Sequence, residues 1–173
     1  MALIRKVRGF EPLWKDSCWF AETATLIGEV TLGENCTVWY NAVVRGDVNS
    51  IIVGDNSNIQ DNVVVHGTYE KAGTIIGSNV SIGHSALIHG CTIEDNVLVG
   101  MGAIIMDNAV IGAGAIIGAG AVVLANTIVE PNSIYVGNPA RKVKESGDKG
   151  LAEIKRIANN YPKYASWFKN EEK

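Results

Sequence analysis

The chain has 173 residues, 47% of them hydrophobic and 19% charged, with 19 glycines and 4 prolines. That length and balance describe one folded domain with room for a core, not a disordered tail. A net charge of −3 gives no basic footprint for nucleic acid, and no stretch reaches the roughly 18 apolar residues of a membrane span. The opening MALIRKVRGFEPLWKDS carries basic residues without an apolar h-region, so no signal peptide is expected. The three cysteines, Cys18, Cys36 and Cys91, are odd in number and form no CxxC pair. No disulfide framework is expected, which fits a reducing, cytoplasmic compartment.

Residues 1–20 read as a lead-in whose aromatics, Phe10, Trp14, Trp19 and Phe20, cover the open end of the repeat region that begins at residue 21. From 21 to 140, isoleucine, valine or leucine recurs at a six-residue spacing, usually with Gly, Asn or Asp close behind. A period of six fits neither a helix nor an ordinary strand. It is the signature of a parallel β-helix of hexapeptide repeats, each hexad being one short strand plus a corner. With three hexads to a coil, Leu32, Val53 and Ile76 lie on face one. Val38, Ile59 and Ile82 lie on face two, and Val44, Val65 and Ile88 on face three. Small residues such as Ala42, Ala86, Ala115 and Ala121 suit tight corners, and Cys36 at such a position reads as a buried thiol. The phase slips at three places: extra residues at Asn49–Ile52, the loop GTYEKAG after His66, and one residue missing between Ile88 and Ile93. About six coils are expected.

After Gly137-Asn138-Pro139 the pattern changes. Residues 141–173 read as a linker and a C-terminal α-helix. Leu151, Ile154, Ile157, Ala158 and Tyr161 share one helical face. The helix is expected to break at Pro162, with Trp167 and Phe168 beyond, and to pack along the outside of the prism.

The only histidines are His66, His84 and His89. His66 and His89 share a hexad phase, each one residue after its inward apolar residue, so they stack on one edge about a strand spacing apart. His84 falls one place later in its hexad, on the neighbouring face, and projects from another edge. Taken alone they could be three scattered surface histidines; a threefold arrangement would bring His84 of a neighbour onto the first two and complete a three-His site with an open fourth position, the pattern of catalytic zinc. Arg45 shares phase and face with His66 and His89, and Asp61 with His84. Gln60 lies beside Asp61, and Asp47 two residues after Arg45. An edge Arg and an edge Asp on different faces are either solvated corner charges or the complement a threefold interface uses.

The stretches VVRGDVNSIIVGDNSNIQDNVVVHG and NVSIGHSALIHGC, with NSIYVGNPAR and the C-terminal helix, resemble the γ-class carbonic anhydrase family over nearly the whole chain. The resemblance implies a left-handed parallel β-helix and a homotrimer with a metal at each of three interfaces. It implies His66, His84 and His89 as ligands, Arg45 and Asp61 as an interface ion pair, and Asp47 beside them. Gln60 is then the hydrogen-bonding partner of the metal-bound water, and Tyr135 a residue lining the pocket. The expected reaction is reversible hydration of carbon dioxide to bicarbonate, with Zn2+, or Fe2+ or Co2+, lowering the pKa of water from 15.7 to about 7 to give hydroxide.

The sequence departs from the family's best-characterised enzymes in two ways. Val48 stands where they have a Glu after the Arg-x-Asp motif. The loop after His66 is short, and Glu70 is its sole carboxylate and the one candidate for exporting the proton. The chain resembles the family's short, compact branch, whose members range from active to barely active. The same scaffold also suits a metal-dependent acyl-CoA thioesterase, a hexapeptide acyltransferase, or a non-catalytic trimeric assembly protein.

Overall fold

A computed structural model describes residues 1–171, so the last two residues of the expected C-terminal segment lie outside the described residues. Short parallel strands wind into a β-solenoid of about seven turns, followed by one helix. The hexad grid is reproduced residue by residue. On face one Leu32 pairs with Val53, Val53 with Ile76, and Ile76 with Ile93. On face two Val38 pairs with Ile59, Ile59 with Ile82, and Ile82 with Val99. On face three Val44 pairs with Val65, Val65 with Ile88, and Ile88 with Ile105. These inward residues are all buried and form one continuous core.

The corners explain the repeat's second signal. Asn35, Asn56, Asn79 and Asn96 all adopt positive φ, and each backbone N–H of the last three donates to the corner one turn earlier. Asn is the side-chain-bearing residue best suited to the left-handed conformation, so it alternates there with Gly. A second device is a ladder of small donors. Cys18 and Cys36 each donate their thiol to a glycine carbonyl at 3.1 Å, Gly33 and Gly54, and Ser57 donates to Gly77 at 2.8 Å. Cys36 is indeed a buried structural thiol.

The phase slips have physical outlets. The extra residues at 49–52 become part of one long strand, Val43–Val53, which rounds the corner and joins faces three and one into a single sheet. The loop after His66 closes on itself, with Thr68 N–H donating to Ala72 O at 2.9 Å. The missing residue is absorbed at Gly90, where φ is +56°.

Three expectations need correction. The lead-in is not a separate cover. Leu3–Arg5 and Trp19–Phe20 pair with the next turn, so they build the first one, and the turns number about seven where about six were expected. The expected linker is a strand, Arg141–Glu145, which runs antiparallel to Ser133–Val136 and closes the far end. Finally, the helix α1 (Gly147–Glu171) continues through Pro162. Pro costs a helix interior about 3 kcal/mol, but both halves are held on the same surface. Ile154 and Ala158 are buried before it and Ala165 after it, and Trp39 touches both Tyr161 and Phe168 across it. The helix thus covers face two, contacting Thr37–Val38 and Ser81–Ile82.

Candidate metal centre at the edges of face three

Face three sits between two corners, and the histidines divide between them. His66 and His89 are paired in register at the end of adjacent strands. Because Val65 and Ile88 point inward, strand alternation turns both imidazoles outward. Their nearest nitrogens, His66 Nδ1 and His89 Nε2, are 3.2 Å apart. Arg45 and Met106 take the same outward phase on the turns below and above.

Each imidazole is backed by a carboxylate on its other nitrogen. His66 Nε2 lies 3.0 Å from Asp47 Oδ1, and Arg45 donates to Asp47 Oδ2 at 2.6 Å. His89 Nδ1 lies 2.5 Å from Asp107 Oδ1, and Thr68 donates its hydroxyl to Asp107 Oδ2 at 2.5 Å. Burial pushes both carboxyls up. For Asp47 the hydrogen bonds from Arg45 and His66 outweigh it, and for Asp107 those from Thr68 and His89 do, so both stay below the ordinary carboxylate range.

His84 occupies the opposite corner of face three. Its Nδ1 is 2.8 Å from Asp61 Oδ2, the pairing of adjacent turns that the hexad phase demands. Its backbone N–H donates to Gln60 Oε1 at 3.2 Å. Gln60 in turn donates to Asn58 at 3.0 Å, and Asn58 to Ser81 at 2.8 Å. This buried polar row lies beneath α1. Gln60 and His84 also line a cavity of about 320 Å³ between face two and α1, with Val99, Met101, Ile157 and Tyr161 among its apolar walls.

The structure thus brings His66, His89, Arg45 and Asp47 together at one edge, and His84, Asp61 and Gln60 at the other. Among the described residues of a single chain no cluster of three or more His, Cys, Asp or Glu is arranged to hold a cation. Tyr135 is not brought to either edge. It sits at the inward position of face two, buried in the core, three turns beyond Ile82, or about 14 Å along the axis at the usual strand spacing. Glu70 is exposed in the loop after His66, with φ of +52°. Sequence reasoning missed Asp107 and Thr68. Asp107 lies two residues after Ile105, which stacks on Ile88; counting to the turn above His89 would have found it. Thr68 sits in an irregular loop that carries no phase.

Comparison with known proteins agrees with the fold. Residues 29–66 match the hexapeptide repeat of succinyl-transferase, and residues 90–125 the bacterial transferase hexapeptide with six repeats. A solved structure, a hexapeptide transferase family protein from Anaplasma phagocytophilum, superposes with a TM-score of 0.92 at 36% identity, covering 96% of this chain and 98% of that one. The repeats and the solenoid define a hexapeptide-repeat protein. Within that class, the chain is 56% identical over 143 residues to the "Probable carbonic anhydrase" of Methanocaldococcus jannaschii, covering 83% of this chain and 89% of that one. It is 41% identical over 159 residues to mitochondrial gamma carbonic anhydrase 1 of Arabidopsis thaliana, covering 89% of this chain and 58% of that protein's length. The chain belongs to the γ-class carbonic anhydrase family.

Proposed function

We propose that this chain is a metal-dependent carbonic anhydrase, active as a homotrimer that hydrates carbon dioxide reversibly to bicarbonate. The observation that carries the reading is the pair of facing nitrogens on His66 and His89. An ionised carboxylate only accepts hydrogen bonds, so Asp47 and Asp107 each require a proton on the nitrogen they face. Two neutral imidazoles so arranged turn bare lone pairs toward each other across 3.2 Å. A cation between them would satisfy both lone pairs. Two nitrogens at ~2.05 Å from a tetrahedral ion lie roughly 3.3 Å apart, so the spacing fits. The carboxylate behind each imidazole is the usual outer support of a histidine metal site.

The third ligand in this reading is His84 of a neighbouring subunit. Face three separates His84 from the other two histidines, and its outward row, Val43, Val64, Leu87, Ile104 and Val122, is apolar. Three such faces turned toward a threefold axis bury that row and bring each His84 edge to a neighbour's His66 and His89 edge. Arg45 and Asp61, each at one of those edges, then become candidates for an ion pair across the contact. Imidazole donors suit Zn2+, Fe2+ and Co2+. When bound, such an ion supplies Lewis acidity that brings the pKa of water from 15.7 to about 7. The chain's own residues do the rest. Gln60 keeps one amide proton beyond its bond to Asn58 and can orient an oxygen beside His84. The apolar cavity admits carbon dioxide and limits water. Glu70, exposed on its loop, hands protons to buffer.

The test is stopped-flow carbon dioxide hydration by protein loaded anaerobically with zinc, iron or cobalt. Metal-dependent hydration, lost in His66→Ala, His84→Ala and His89→Ala, is expected. Metal-replete protein inactive at every buffer concentration would overturn the reading. Because a structural relative is a transferase family protein, the same preparations should be assayed for acyl-CoA hydrolysis and acyl transfer. Activity there alone would put the thioesterase or acyltransferase reading first, and no activity in any assay the assembly role.

A further inference from the structure

We infer that Thr68 and Asp107 are positioning residues that orient His89, so that the short loop after His66 is a working part of the metal centre. The inference rests on the metal reading of His66 and His89 for its purpose, though not for its geometry.

Asp107 is engaged at both oxygens. Oδ1 meets His89 Nδ1 at 2.5 Å, and Oδ2 accepts the Thr68 hydroxyl at 2.5 Å. A carboxylate gripped on both sides cannot rotate. It therefore fixes the plane of the His89 ring and holds the Nδ1–H tautomer, which leaves Nε2 bare and directed at His66. Thr68 reaches Asp107 across 39 residues of sequence, so the contact belongs to the solenoid's stacking rather than to the loop alone.

The loop is itself anchored. Thr68 O accepts from Asn49 Nδ2 at 3.4 Å. Thr74 donates to His66 O at 2.6 Å and accepts from Gly90 N–H at 3.0 Å. Gly90 completes the arrangement by what it lacks. A Cβ there would come within 2.7 Å of Asp107 Oδ1 and 2.8 Å of Ala72 Cβ. The two histidines are thus held by different means. Asp47 is steadied by a neighbouring cation, Arg45, and Asp107 by a neutral hydroxyl from the loop.

The experiment measures Co2+ affinity by chelator competition, using the visible spectrum of the bound ion, on the parent and on Asp107→Ala, Asp107→Asn, Thr68→Val and Thr68→Ser. In parallel, 15N NMR of the metal-free proteins reports the His89 tautomer. Both Asp107 variants should bind Co2+ about 10- to 100-fold more weakly. Thr68→Val should bind about five-fold more weakly, as expected for one lost hydrogen bond, and Thr68→Ser should restore parental affinity. His89 should be the Nδ1–H tautomer in the parent and Thr68→Ser, and a mixture in Thr68→Val. Parental affinity and an unchanged tautomer in Thr68→Val and in whichever Asp107 variant folds would overturn the inference. A parent that binds no Co2+ would instead sink the metal reading, and the tautomer comparison would still decide whether Thr68 and Asp107 orient His89.

Discussion

Gly90→Ala tests the packing that supports His89. At φ of +56° an alanine carries the left-handed penalty of about 1–2 kcal/mol, partly offset by ~0.4–1 kcal/mol of reduced freedom in the unfolded chain. The added methyl also meets Asp107 Oδ1 at 2.7 Å and Ala72 Cβ at 2.8 Å. The carboxylate can swing away only by leaving His89, and Ala72 cannot swing at all. Overpacking of this kind costs about 1–3 kcal/mol. Gly120→Ala is the matched control, because Gly120 has φ of +67° and nothing within 4 Å of a Cβ. Urea unfolding of both variants at one protein concentration should place Gly90→Ala about 1–3 kcal/mol below Gly120→Ala. Gly90→Ala should also lose Co2+ affinity while Gly120→Ala keeps it. Equal stability and equal affinity in the two variants would refute the reasoning.

The thiols should differ sharply in reactivity. An ionised Cys18 can accept the Cys36 S–H, which otherwise donates to Gly54, and this draws the Cys18 thiol down to about 7, while burial pushes Cys91 up to about 12. Iodoacetamide should therefore label Cys18 first, at a rate rising as pH climbs through about 7, with Cys91 silent until unfolding; mass mapping of the adducts checks this. Asp47 and Asp107 have depressed carboxyl pKa values. Their stabilisation is present above the unfolded value of about 3.9 and is lost as pH falls through the lower folded values. Thermal unfolding of the metal-free protein should thus show a steeper acid decline for the parent than for Asp107→Asn. If chains associate as proposed, Asp61→Ala should weaken the association in sedimentation, with dissociation already at higher protein concentration, by leaving a partner's Arg45 with only its own Asp47. Unchanged association would confine both residues to the contacts they make within one chain.

The hexad period made the fold legible because every inward position is set by one rule. A residue's number gives its face and its turn, and hence the stacking of His66 on His89 and of Asp61 on His84. What escaped is what breaks the period. Thr68 lies in an excursion whose path depends on hydrogen bonds across several turns. The antiparallel strand Arg141–Glu145 has no apolar alternation to announce it, being largely exposed. Pro162 read locally as a helix breaker, yet the aromatic packing on Trp39 to either side overrides the local cost. The expectation for Tyr135 rests on the family resemblance alone; its hexad phase makes it an inward residue of face two, stacked on Ile117.

The central claim is a metal centre shared between chains, and the most direct measurement of it is the metal content of mixed trimers. His66→Ala and His84→Ala chains, each expected to bind no Co2+ when assembled alone, are unfolded together, refolded, and isolated as mixed assemblies by two affinity tags. If His84 is contributed by a neighbour, some interfaces pair an intact His66 and His89 edge with an intact His84 edge. The mixed trimers should then recover Co2+ at a fraction of the three sites. Verified mixed trimers that bind no Co2+ would contradict the account.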